Sequence, residues 1–201
     1  MHVFFSKLLD WIFPPHEDAL RVQNITISEI LTVHTPHIVD GVYTLTFYSD
    51  KNIRALIHEA KFHGNKKAFG LLSMLISSFL ASYTKPIDVL IPIPISRARM
   101  RARGFNQVLE VLRIHAISDK YTIETNTLVR TRDTRPQTEL TREERLQNLK
   151  DAFSVLHPEK IAGKHILLID DVMTTGTTLR AAKTALLQHS PASVTCVAFA
   201  H

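Results

Sequence analysis

Cysteine is nearly absent from this sequence: of 201 residues only Cys196 is one. That excludes a disulfide framework and a cysteine-rich zinc site within one chain. Cys196 lies in the apolar run Val194–Phe199, where a thiol packs as a small hydrophobe. Long apolar runs are missing too. Phe69 to Tyr83 is too short to span a bilayer and carries four serines. Met1 to Phe13 is apolar but lacks a basic start, and Asp10 and Trp11 interrupt it where a signal peptide needs a clean apolar core. The expectation is a soluble, cytoplasmic chain with no membrane insertion, its residues 3–13 forming a helix that packs on its own domain. His16, His34 and His37 lack any recognised ligand spacing, so no zinc is expected. An excess of acid is also lacking: the net charge is +5 and the pI about 9.4, which favours anionic partners, phosphorylated metabolites or nucleic acid alike.

Hydrophobic residues make up 45% and charged residues 21%, enough for a real core in a chain of one-domain length. Pro14-Pro15 ends the first apolar segment, and Ile25–Ser28 and Val42–Phe47 alternate as strands do. Asp50 caps a helix with Ile53, Leu56, Ile57 and Ala60 on one face, stopped at Gly64. Residues 66–82 form a helix apolar over most of its surface and therefore central. Val89–Ile95 is a strand limited by Pro92 and Pro94. Asn106–Ile117 reads as an amphipathic helix and Thr122–Val129 as a strand. The polar stretch Arg130–Thr138 reads as a mobile loop, and Thr141-Arg-Glu-Glu144 opens a short helix with a capping box. Ala152–Leu156 and Ser193–Phe199 are the remaining strands, the latter closing the sheet. Strands alternating with helices give an α/β fold with a mainly parallel sheet and the ligand at the strands' carboxyl ends.

Ile166-Leu-Leu-Ile-Asp-Asp-Val-Met-Thr-Thr-Gly-Thr-Thr-Leu179 concentrates the chemistry. Four aliphatics form a strand covered on both faces. Asp170 and Asp171 at its carboxyl end are costly to bury and need hydroxyls, a cation or water. Thr174, Thr175, Gly176, Thr177 and Thr178 then turn into a helix whose amides and dipole favour an anion. Carboxylates beside a phosphate cradle suit a phosphorylated ribose. A P-loop needs a lysine that this turn lacks, and a phospho-receiver domain needs about four more strand–helix units after its acids, whereas only thirty residues follow Asp171. A second basic stretch, Ser96 to Gly104, carries Arg97, Arg99, Arg101 and Arg103 at alternate positions. In an extended loop these side chains share one side and suit a polyanion; a solvated basic surface is the plainer alternative. Only Phe105 is an aromatic near them, which gives base stacking little support.

The 166–179 stretch resembles the phosphoribosyl-pyrophosphate (PRPP) signature of type I phosphoribosyltransferases. Pro92-Ile-Pro94, Arg103-Gly-Phe-Asn-Gln107, Arg130-Thr-Arg132 with Gln137, Arg145 with Asn148, and Ala152-Phe153 follow the ComF family pattern. Ile57-His-Glu-Ala-Lys-Phe-His-Gly64 is similar to its Lys-aromatic-x-Gly segment. The resemblance covers residues 50–201, a phosphoribosyltransferase-like domain, and leaves 1–49 as an amino-terminal region. Family members usually begin with a four-cysteine zinc module after a Leu-Phe-Pro-Pro-like segment; Trp11-Ile-Phe-Pro-Pro15 is present here without the cysteines.

The resemblance implies an active transferase. Thr174–Thr178 would hold the PRPP 5-phosphate, and Asp170 and Asp171 the ribose hydroxyls. Mg2+ would be bound through substrate and water rather than directly by the protein. Ser96, Arg97, Arg99, Arg101, Arg103, Arg130, Arg132 and Lys61 are its candidates for the pyrophosphate. The acceptor stays open. The resemblance also implies association with DNA uptake in natural competence, hence competence proteins or single-stranded DNA as partners. A PRPP-sensing module without turnover and a single-stranded nucleic-acid binder are the alternatives.

Overall fold

The computed structural model describes residues 16–131 and 152–201. Its centre is a six-stranded sheet, taken in sequence as β1 (His37–Val39), β2 (Val42–Thr46), β3 (Val89–Pro92), β4 (Thr122–Ile123), β7 (His165–Val172) and β8 (Ser193–Ala200). Two short strands, β5 (Leu128–Arg130) and β6 (Phe153–Val155), form a separate antiparallel pair. Across the main sheet the order is β1-β2-β8-β7-β3-β4, parallel throughout except β1 against β2. The sheet therefore draws in residues from the amino-terminal side of position 50. The expectation that Ser193–Phe199 closes the sheet is corrected: β8 lies inside it, because β2 adds to its other side.

The central strand explains the two-layer architecture. Ile166 to Ile169 are all buried, and alternation sends Leu167 and Ile169 into one apolar cluster and Ile166 and Leu168 into the other. The first layer holds helices α1 (Glu17–Asn24), α2 (Ile27–Thr32), α3 (Lys51–His58) and α4 (Lys66–Ser82), with α6 (Gln107–Leu112) and α7 (His115–Ser118). Helix α4 is central as its composition demands, burying Phe69, Leu72, Leu75, Ile76 and Phe79. The second layer holds α8 (Thr177–Leu187), with Leu179, Ala182 and Leu186 inward, together with Phe153 and Ile161. Cys196 is buried in this layer, and burial pushes its thiol up to about 11, far from reactivity at neutral pH.

Several local readings change. Ile25–Ser28 is not a strand, because Thr26 and Glu29 form a capping box that starts α2. Thr122–Val129 divides: β4 pairs with β3, while a bend at 125–127 hands Leu128 to the second sheet. The Asn106–Ile117 helix breaks after Leu112 into α6 and α7. The expected helix of residues 3–13, the Thr141–Glu144 capping box and most of the Arg130–Thr138 loop lie outside the described residues. Among the described residues no helix is long and apolar enough to cross a membrane.

Candidate functional site

Asp170 and Asp171 end β7, and strand alternation sends them to opposite faces of the sheet. Asp171 faces the first layer. Its Oδ2 accepts a hydrogen bond from Gln107 Nε2 at 2.7 Å and lies 3.6 Å from Lys61 Nζ. Its Oδ1 accepts from the Val172 amide at 2.7 Å. Asp170 accepts the Asp171 amide at 2.9 Å on Oδ1. Burial, then the charge of Asp171, pushes Asp170 up to about 8, and Lys61 only partly offsets this. The pair therefore carries less than its full charge near neutrality and gains from any cation or hydroxyl donor placed beside it.

The turn after β7 is pinned from below. Met173 is buried and its amide donates to Ala200 O at 2.9 Å, while Thr174 and Thr175 stand exposed. Gly176 is the N-cap of α8 at φ +65°, the left-handed region that a side chain disfavours. Having no side chain, it leaves the helix's first amides without a side-chain cap, a suitable arrangement for an anion. Thr175 and Thr177 hydroxyls meet at 2.7 Å. Arg180 folds back from the first turn of α8: one guanidinium nitrogen donates to Thr175 O, and the other lies 3.8 Å from Asp40 Oδ2. No sequence motif marks this cation at the turn; its place in the first turn of α8 is the available signal.

The arginine stretch is corrected. Residues Arg97–Arg103 form a helix, α5, rather than an extended loop. Ser96 caps it, its Oγ accepting from the Arg99 amide at 3.2 Å, and Gly104 ends it at φ +80°. Both caps were legible in the sequence. The helix spreads the arginines around its axis, so Arg97, Arg99 and Arg101 are exposed and Arg103 alone is half-buried. Arg103 Nη1 donates to Gln107 Oε1 at 3.3 Å, and its guanidinium stacks 5.1 Å from the Phe62 ring. Burial, then the neighbouring Arg99, pulls the Arg103 pKa down, while Asp171 pulls it up. Gln107 thus joins Arg103 to Asp171 across two elements. That bridging role was not read from the sequence, since no local pattern marks it. Among the remaining candidates, Arg130 ends β5 over the Phe153 ring at 5.6 Å, and Arg132 lies outside the described residues.

A phosphoribosyl transferase domain model matches residues 63–201. DNA utilization protein YhgH of Escherichia coli O157:H7 is 31% identical over 144 residues, 69% of this chain and 63% of that protein. Competence protein ComFC of Bacillus subtilis is 29% identical over 154 residues, 76% of this chain and 59% of that protein. The chain thus spans about three-fifths of these relatives' length. Among solved structures, adenine phosphoribosyltransferase from Thermoanaerobacter pseudethanolicus aligns with a TM-score of 0.42 at 14% identity, covering 85% of this chain and 86% of that one. The chain belongs to the phosphoribosyl transferase domain family, and it is similar to relatives that bear DNA-utilization and competence names.

Proposed function

We propose that the protein binds PRPP with Mg2+ and transfers its phosphoribosyl group to an acceptor nucleophile, releasing pyrophosphate, in a role tied to DNA uptake or utilisation. The observation that carries this reading is the juxtaposition of Asp170 and Asp171 with the glycine-capped amino end of α8. The turn 174–178 receives the 5-phosphate through amides and threonine hydroxyls, with Arg180 adding charge. Asp170 and Asp171 accept hydrogen bonds from the ribose hydroxyls. Lys61 and Arg103 flank Asp171 and face the pyrophosphate. Mg2+ bound with PRPP through substrate oxygens and water would supply positive charge to the pyrophosphate, and Asp170 and Asp171 are the carboxylates that would face its water shell.

In the transfer, an acceptor lone pair forms the new bond to C1 while the C1–O bond breaks and its electrons leave on pyrophosphate. The acceptor's proton passes to solvent. Lys61 and Arg103 stabilise the charge that grows on the leaving group. The names of the relatives motivate the link to DNA use, and exposed Arg97 and Arg101, four residues apart on α5, share a basic side suited to a nucleic-acid partner.

Calorimetry with PRPP and Mg2+ tests the binding step. Pyrophosphate release on adding a panel of nucleobases and amines tests turnover. Saturable PRPP binding without release from any acceptor would favour a sensing module. Absence of PRPP binding would defeat the proposal. Oligonucleotide binding that needs no PRPP and falls steeply with salt would favour the nucleic-acid reading.

A further inference from the structure

Of the three histidines singled out in the sequence, His37 is engaged by Thr44 Oγ1 at 2.8 Å and Thr35 O at 2.9 Å, while burial lowers the pKa of His34. His16 goes elsewhere. It precedes α1 and meets His58, Glu59 and His63, where α3 runs into a single π-helical turn, Glu59–His63. The π-turn makes this meeting possible. Residues five apart on an α-helix point about 140° away from each other, but a turn bonded from i to i+5 stacks them. His58 and His63 rings accordingly lie 5.7 Å apart, and His16 packs 4.4 Å from His63.

At the centre is Glu59, only 2% exposed. Its Oε2 accepts from Asn65 Nδ2 at 2.9 Å. Oε1 is buried and lacks a well-directed hydrogen bond, although it lies 2.6 Å from His16 Nε2 and 3.9 Å from His63 Nε2. His58 Nδ1 is likewise buried without a directed hydrogen bond, 3.1 Å from Asp18 Oδ2. A buried carboxylate oxygen aimed into three imidazoles is costly unless a cation completes the group.

We propose that His16, His58, Glu59 and His63 form a site for one divalent transition-metal ion, zinc above all. Three imidazoles and one carboxylate are a zinc ligand set, and imidazole also suits nickel and copper. Tetrahedral bonds of about 2.0–2.1 Å place ligand atoms about 3.3 Å apart; the four donor atoms here all lie within 4.8 Å of one another. Modest side-chain rotations close that gap. The site replaces the expectation of a zinc-free protein, which rested on the missing cysteines and on histidine spacing in sequence. Its place in the fold gives it a structural role: it ties the segment entering α1 to the π-turn whose Lys61 reaches Asp171. Metal binding itself does not rest on the PRPP reading.

The test uses the full chain purified without a histidine tag, titrated with zinc alone against a competing chelator, and with cobalt followed by absorption. We expect one zinc per chain and the intense visible cobalt bands of a four-coordinate site. In His58→Gln with His63→Gln, zinc affinity should fall at least about tenfold, the least that loss of even an indirect partner costs at such sites. His37→Gln should bind as the parent does. Substoichiometric zinc in the parent, or undiminished binding by a folded double variant, would overturn the proposal and leave a histidine–carboxylate hydrogen-bond network. Should the double variant fail to fold, half-exposed His16→Gln decides by the same criterion.

Discussion

Two parts of the candidate site reach the same carboxylate pair by different routes. The β7–α8 unit is contiguous: strand, acids, turn and helix follow one another between His165 and Leu187. The second part, Arg103–Gln107–Asp171–Lys61, is assembled from α5, α6, β7 and the π-turn. In the first, covalent connection holds the geometry, so residue order alone specifies it. In the second, only the packing of α4 and α6 against the sheet brings the groups together, so substitutions there should act through selectivity rather than through all-or-none binding.

The largest effect should come from the contiguous unit. Asp170→Asn with Asp171→Asn should weaken PRPP by about a hundredfold or more, since charge-assisted hydrogen bonds contribute about 1.5–3 kcal/mol each. Calorimetry on the folded variant checks this, and unchanged affinity would remove the acids from the site. Next comes the assembled part. Arg103→Ala should weaken PRPP about ten- to hundredfold while sparing ribose 5-phosphate, which lacks the pyrophosphate. Arg97→Ala, Arg99→Ala and Arg101→Ala should each change PRPP affinity less than about twofold, as solvated charges do. A PRPP-selective loss in an exposed arginine but not in Arg103 would reverse the comparison.

Gly176→Ala tests whether the turn's backbone matters by itself. At φ +65° an alanine costs about 1–2 kcal/mol, and its Cβ would press on Arg180 Nη1 at 2.9 Å. Thermal melting should fall by a few degrees, with weaker binding of PRPP and ribose 5-phosphate alike, because both carry the 5-phosphate.

The last effect is on stability rather than on ligand binding and concerns the ligand-free acids. Asp170 titrates at about 8 in the fold against 3.8 unfolded, so the folded state holds a proton that the unfolded state releases between those values. Stability from this group is therefore greatest at low pH and falls as pH rises towards 8. Asp170→Asn should flatten that slope and raise the melting temperature more at pH 8 than at pH 5. An equal shift at both would show that Asp170 ionises freely.

Legibility followed the same division. The acids and the turn at 170–178 were readable because a buried strand, a carboxylate pair and a glycine-capped helix follow in order. Over 97–103 alternate arginines suggest an extended loop, but the caps Ser96 and Gly104 set a helix. Ile25–Ser28 failed in the same way: alternation over four residues lost to the Thr26–Glu29 capping box. In both cases hydrogen bonds at the ends of a segment outweighed a short side-chain pattern.

By itself the sequence determined the class of fold, the central strand and the residues at its carboxyl end, because local periodicity and chain order are enough to specify them. Tertiary structure alone decided that Gln107 links Arg103 to Asp171, that Arg103 faces inward while its three neighbours face solvent, and that His16 joins His58, Glu59 and His63. Those contacts cross between elements, and one depends on a π-turn that changes which residues share a helix face. Sequence spacing cannot register either, because the distances arise only when the helices pack on the sheet.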